Sequence, residues 1–255
     1  MTAAPDSKER FSNRVADYVR YRPGYPRGVL DLLRDECGLT PESAIADIGS
    51  GTGILTKLFL DNGNLVCGIE PNAAMREAGE EFLAAYPKFR SVAATAEATT
   101  LPDAGVDLVT AAQAYHWFDP RAARVEFARI LRPGGLVAVI WNERKKDWGP
   151  FAEQYEQLLR TYGTDYGRVS QTYPESRRMT ELFGGGFRHR AFPNEQMMDF
   201  AALRGRLLSS SYAPAAGHSN HEPMLADLRK IFDSHAVGGR VRFEYETHVY
   251  YGRLK

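Results

Sequence analysis

Cysteine is scarce in this 255-residue chain: only Cys37 and Cys67 occur, with no CxxC pair. That excludes a disulfide framework and a thiolate zinc site, and both thiols read as reduced residues within apolar or helical patterns. Long apolar runs are missing too. None nears the roughly 20 residues of a membrane span, so no span is expected. Neither sign of charge is in excess, because 32 Lys and Arg balance 32 Asp and Glu. Neutralising phosphates ordinarily demands a basic excess, so no nucleic-acid partner is expected. The start, Met1–Ser7, is short and polar and does not resemble a targeting signal, which leads to the expectation of a cytoplasmic protein. His218 and His221 have no cysteine or carboxylate cluster beside them, and no metal is expected. No nucleophile–base pair of the kind covalent catalysis requires stands out.

What is present is an ordinary globular balance, 44% hydrophobic and 25% charged residues. The length suits one large α/β domain, or one domain carrying an insertion. Phe11, Val15, Tyr18 and Val19 share a helical face, predicting a helix over 9–20 that Arg22-Pro23-Gly24-Tyr25-Pro26 breaks. A second helix is predicted over 27–37. From residue 44 strands and helices alternate. Strands are predicted at Ala44–Ile48, Leu65–Glu70, Phe89–Ala94, Val106–Ala112 and Leu136–Trp141, and helices over 53–62, 72–85 and 120–131. This alternation predicts a parallel sheet wrapped on both faces. The rhythm changes after residue 145. Helices are predicted over 150–161, 200–209 and 222–234, with a polar stretch to residue 176 and a strand within Phe187–Phe200. Val241, Phe243, Tyr245, Thr247, Val249 and Tyr251 alternate with mostly charged residues. That predicts a last strand over Arg240–Arg253, antiparallel and at or near an edge.

The most informative feature is the turn Asp47-Ile48-Gly49-Ser50-Gly51-Thr52-Gly53. Glycines permit positive φ and let a ligand approach the backbone. The helix that follows offers unpaired N–H groups to a polar ligand. Glu70 ends the second strand, where an acid is placed to accept hydrogen bonds from ribose hydroxyls. A dinucleotide fingerprint needs G-x-G-x-x-G, but residue 54 is Ile54. An ordinary tight βα turn is the bland alternative. The ordered set of Asp47, three glycines, Glu70 and Ala96-Glu97 speaks against it.

With these motifs in place, the sequence resembles the class I S-adenosylmethionine-dependent methyltransferases. Within them it is similar to the small-molecule branch of trans-aconitate, ubiquinone/menaquinone-pathway and malonyl-carrier-protein methyltransferases. Four segments carry the resemblance: Ile45–Gly53, Gly68–Met75, Ala96–Pro102 with Val106–Val109, and Leu131–Leu136. It implies an α/β, Rossmann-like, seven-stranded, mostly parallel sheet with the last strand antiparallel, helices on both faces and a helical lid insertion. It also implies S-adenosyl-L-methionine as methyl donor. By the same resemblance, Gly49, Gly51 and Gly53 line its methionine part, with Asp47, Ser50 and Thr52 in the same turn. Glu70 holds the ribose, Pro71, Asn72 and Met75 flank ribose and adenine, and Ala96 and Glu97 meet the adenine edge. Gln113 and Ala114 lie beneath the sulfonium, and Tyr18 and Arg22 close over the cofactor. The implied organisation is N-terminal capping helices over 1–40, a cofactor-binding core over 41–145, a substrate-side insertion over 146–235, and the completing strand over 236–255.

Tyr115, His116, Trp117 and Arg144 are the candidates for contacting a small-molecule acceptor, because ligands of open parallel sheets bind beyond the carboxyl ends of strands. His116 reads either as a general base or orienting donor, or as a histidine that fixes its loop. Phe118 reads better as core. Arg144 reads either as an anion-binding group or as a solvated arginine. The expected reaction is direct methyl transfer to an oxygen, a carboxylate being preferred, by a monomer or homodimer. The alternatives are an N-methyltransferase, a nicotinamide-dependent oxidoreductase, or a non-catalytic S-adenosylmethionine-binding protein.

Overall fold

The computed structural model describes residues 20–169 and 176–254. The predicted helix over 9–20, with Tyr18, lies outside the described residues apart from its last residue.

The strands are β1 (Ala44–Ile48), β2 (Leu65–Ile69), β3 (Phe89–Val92), β4 (Val106–Ala112), β5 (Leu131–Arg144), β6 (Phe187–Met198) and β7 (Val241–Gly252). They form one sheet in the order β3-β2-β1-β4-β5-β7-β6. β1 pairs in parallel with both β2 and β4, β2 with β3, and β4 with β5. β7 pairs antiparallel with β5 and with β6. The chain therefore runs outward from β1 through β2 and β3, then returns to the other side of β1 for β4. That reversal is the switch point at which a crevice opens beyond the strand ends.

The described helices are α1 (Arg27–Cys37), α2 (Ile54–Asp61), α3 (Ala73–Phe82), α4 (Pro120–Ile130), α5 (Pro150–Tyr162), α6 (Tyr166–Val169), α7 (Ser176–Phe183), α8 (Phe200–Leu208) and α9 (His221–His235). Alternation along the strands splits the core in two. Ala46, Ile48, Val137 and Val139 face Phe127 and Ile130 of α4 and Met179 and Leu182 of α7. Ile45, Ala138 and Ile140 face Val29 and Leu33 of α1 and Phe59 of α2. Each such fully buried Leu, Ile or Phe contributes about 1.5–3 kcal/mol. A third cluster joins α5, α8 and α9 to the start of β7 through Tyr155, Leu203, Leu228 and Phe243.

Two differences from the sequence reading have physical causes. β5 starts at Leu131, not Leu136, because Leu131 pairs with Val106 and the ladder shifts register before Leu108. The predicted polar stretch ends in α7, whose Met179 and Leu182 complete the core under α4. The last strand is antiparallel and near an edge, as expected, one place in because β6 pairs along its whole length, from Phe187 opposite Gly252 to Met198 opposite Val241. β6 is the edge, and Pro193 is tolerated there for that reason. This pairing also sets His189 Nε2 3.0 Å from His248 Nδ1, two histidines that look isolated in the sequence. Among the described residues, no helix is long and apolar enough to cross a membrane.

Candidate active site

The glycine turn sits at the switch point, between β1 and α2. Gly49 and Ser50 both donate their N–H to Ile69 O, at 2.8 and 3.1 Å, which ties the turn to β2. Gly49 has φ 67°, in the left-handed region, and a Cβ there would lie 2.5 Å from the Cβ of Ala114. Glycine is thus required twice over, by conformation and by the close approach of the loop after β4. No side chain caps α2 at Gly53, so its first N–H groups keep capacity for a ligand.

Two acids support this turn differently. Glu70, 9% exposed, accepts from Gly51 N at 2.9 Å and from Asn72 N at 2.8 Å. Burial pushes its carboxyl above the ordinary glutamate value, against the opposing pull of those two N–H donors. Each carboxylate oxygen retains a lone pair for a further donor. Asp47 corrects the sequence reading. It is 1% exposed, and its oxygens accept from Thr56 Oγ1 at 2.6 Å and Thr110 Oγ1 at 3.0 Å. Its carboxylate braces β1 against α2 and β4 and is not displayed to a ligand. Burial raises its pKa to about 6. Asn72 caps α3 by accepting from Met75 N at 3.0 Å, and the Met75 methyl lies against Gly51. Pro71 is exposed beside them, Thr52 is buried, and Ala96 is buried in the core. Glu97 uses one oxygen to accept from Asp119 N at 3.0 Å.

The other wall is the turn after β4. Gln113 adopts φ 55°, a left-handed conformation that is costly for a residue with a side chain and that clusters at functional sites. Its Nε2 donates to Asn142 O at 3.0 Å, while its buried Oε1 has no partner among the described residues. His116 stands between Trp117 and Trp141, with ring centroids 4.5 and 5.0 Å away, and its buried Nδ1 also has no partner among the described residues. Burial, with the nearby Arg178 guanidinium, lowers its pKa to about 4. The imidazole is neutral at physiological pH. Trp117 is 41% exposed and available as a wall. Tyr115 is a second correction: it is fully buried, donates its hydroxyl to Arg178 O at 3.2 Å, and packs edge-on against Phe118. It anchors the turn from inside and has no surface left for an acceptor. Arg178 completes the clamp by donating to Phe118 O at 3.1 Å. That residue escaped sequence reading because α7 did.

Along β5, alternation sends Trp141 to the His116 side and Asn142 and Arg144 to the opposite face. Asn142 donates to Gly24 O at 3.1 Å and accepts from Thr247 Oγ1 at 2.5 Å, fastening the N-terminal segment over the strand ends. Arg22, in that segment, donates to Ser209 O at 2.9 Å. Arg144 is neither solvated nor alone. It is 8% exposed and donates to Glu156 and, at 2.8 Å, to Tyr166 Oη. The structure thus gathers the turn, Glu70, Gln113, Ala114 and His116 at one crevice. A separate cleft of about 190 Å³, between Cys37, Asp107 and Arg132, opens at the opposite end of the strands.

A family model described as a methyltransferase domain matches residues 46–139, the span that builds this crevice. An uncharacterized methyltransferase-like protein of Schizosaccharomyces pombe is 31% identical over 228 residues, covering 87% of this chain and 85% of its own length. The chain belongs to the class I S-adenosylmethionine-dependent methyltransferases. An uncharacterized methyltransferase of Mycobacterium bovis is 38% identical over 172 residues, 67% of this chain and 66% of that one. Among solved structures, a protein of Anaeromyxobacter dehalogenans provisionally named a type II methyltransferase aligns with TM-score 0.65 and 25% identity, over 91% of this chain and 98% of its own. A Haemonchus contortus phosphoethanolamine N-methyltransferase shares the fold at TM-score 0.57 and 13% identity, over 98% of this chain and 59% of its own.

The residues of this methyltransferase suit its methyl donor. Glycine at 49, 51 and 53 lets Ala114, Met75 and Leu83 close on the turn. Gln113 Oε1 is an acceptor without a donor, and Glu70 is an acceptor with capacity to spare. Such unfilled acceptors suit a ligand carrying an ammonium, a sulfonium and ribose hydroxyls.

Proposed function

We propose that this methyltransferase methylates an oxygen of a small molecule, a carboxylate being the preferred acceptor. The observation that carries this reading is His116. It is the ionisable group beside Gln113 in the crevice, and burial makes it a weak base. An acceptor that must lose a proton to react would find little help there. A carboxylate is already anionic and needs only positioning and desolvation. Zero net charge supports a small acceptor over a nucleic acid.

In this mechanism the bound S-adenosylmethionine supplies an electrophilic methyl group. Gly49, Gly51 and Gly53 would cradle its methionine part, Glu70 its ribose, and Ala96 and Glu97 its adenine edge. Gln113, held by the hydrogen bond its Nε2 donates to Asn142 O, would offer its Oε1 to the cofactor. Trp117 and Trp141 exclude water around His116. His116, neutral, orients the acceptor through a ring nitrogen. Arg22 and the insertion over 146–235 would close the acceptor side.

The test is methyl uptake from labelled S-adenosylmethionine across a panel of carboxylic acids, phenols and amines. Transfer to acids supports the reading, and transfer confined to amines overturns it. His116→Ala should keep S-adenosylhomocysteine affinity within twofold while lowering turnover about tenfold, the scale of one lost orienting hydrogen bond. Unchanged turnover would remove His116 from the mechanism.

A further inference from the structure

Beyond the end of β5, the described residues bury more positive charge than they neutralise. Arg144 and Arg206, from β5 and α8, are 8% and 7% exposed. Glu156 pairs with Arg144 and with the exposed Arg160. Among the described residues no carboxylate pairs with Arg206. Its Nε donates to Tyr245 Oη at 3.1 Å and its Nη1 to Ser210 Oγ at 3.0 Å. Two more buried groups here have no partner among the described residues, Arg144 Nη1 and Tyr155 Oη. The cluster is compact. The Arg144 guanidinium lies 5.3 Å from the Tyr155 ring centre, that ring lies 5.1 Å from Phe243, and Arg206 lies 6.0 Å from Phe243.

An unmatched buried guanidinium and unfilled donors destabilise a fold, and their retention calls for a reason. Guanidinium groups only donate, and a phenol donates readily. What completes such a set is a planar anion with two acceptor oxygens. The cluster lies on the face of β5 opposite His116 and is joined to the Gln113 turn through Asn142. Gln113 binds Ile140 O and Asn142 O, and Arg144 is the next residue of β5 on the Asn142 face. We propose that Arg206, Arg144 and Tyr155 form a subsite that holds a carboxylate of the methyl acceptor, an inference that rests on the small-molecule methyltransferase reading. The local potential agrees. Burial opposes ionisation of Tyr212, yet Arg206, with Arg144 and Arg22, holds its hydroxyl below the ordinary tyrosine value.

The experiment uses dicarboxylic acids and their monoamides as probes. Their binding is measured by calorimetry with S-adenosylhomocysteine present, and methyl uptake is measured separately. Tyr155→Phe is the main variant, because removing an unpartnered hydroxyl leaves folding intact. Arg206→Gln is the second. Dicarboxylates should bind at least about tenfold tighter than their monoamides. Tyr155→Phe should raise KM about tenfold with kcat within twofold, with unchanged melting temperature and S-adenosylhomocysteine affinity. Arg206→Gln should abolish the preference for acid over amide. Equal binding of acids and amides, or KM unchanged in Tyr155→Phe, overturns the subsite. A phenolate band that Tyr212→Phe removes would make Tyr212 the counterion and overturn it too. Failure of S-adenosylhomocysteine to bind at all would instead sink the methyltransferase reading beneath it.

Discussion

Replacing Glu70 by Ala is expected to weaken S-adenosylhomocysteine binding about 100-fold, or ~3 kcal/mol. Two losses add. The ribose hydroxyls would lose a charged acceptor, at about 1.5–3 kcal/mol for hydrogen bonding to an ionised group. The glycine turn would also lose its brace, since the same carboxylate accepts from Gly51 N and Asn72 N. Glu70→Gln separates the terms. Its carbonyl oxygen still accepts one hydrogen bond, but its amide repels the second N–H, so about a tenfold loss is expected. Calorimetric titration with S-adenosylhomocysteine, with circular dichroism to confirm folding, reads both. Equal affinity in wild type and Glu70→Ala would leave Glu70 a brace that the cofactor does not touch.

The second large effect is on stability against pH. Burial holds the Asp47 pKa at about 6 in the folded chain, against 3.8 for an ordinary aspartate. The folded state therefore binds this proton more tightly than the unfolded state. The stability associated with protonated Asp47 is complete below about pH 4 and is lost as pH rises through about 6. A shift of roughly two units corresponds to about 3 kcal/mol. Asp47→Asn should remove that slope and stabilise the protein at about pH 8, by up to ~3 kcal/mol less the cost of reorienting the threonine hydroxyls. Other groups pull the opposite way. Arg129 beside Glu126 depresses the Glu126 pKa to about 2, which is stability lost on acidification. The quantity to measure is thus the difference between wild type and variant in urea unfolding. A difference that does not change between about pH 4 and 8 would mean that Asp47 titrates normally.

How far the sequence reached can be judged residue by residue. The alternation of β1 to β5 with helices was legible because β1 and most of β4 are buried on both faces while the helices bury one, so the periods differ visibly. The glycine turn was legible because backbone conformation restricts residue type, and Gly49 meets both a positive φ and a 2.5 Å approach. Asp47 was misassigned as a cofactor contact because an acid before a glycine turn looks the same whether it faces a ligand or two threonines. Thr110 lies 63 residues away, and only folding brings it to Asp47. Tyr115 shared a loop with His116, but a turn in that loop sends one inward and the other toward Trp141.

The sequence by itself determined the alternation of strands and helices and the place of the glycine turn, because those depend on local periods and on where glycine alone fits. It also carried the last strand, through strict alternation, though not the fact that β6 would cover its free edge. The tertiary structure alone decided the charge states and the company of the polar residues. Burial, not neighbours in sequence, made His116 a weak base and Asp47 a reluctant acid. Likewise Arg206 stands in the last turn of a helix of ordinary pattern. Only the packing of α8 against β7 reveals a guanidinium buried among phenols, with no carboxylate paired to it among the described residues, because desolvation and pairing are properties of three-dimensional proximity.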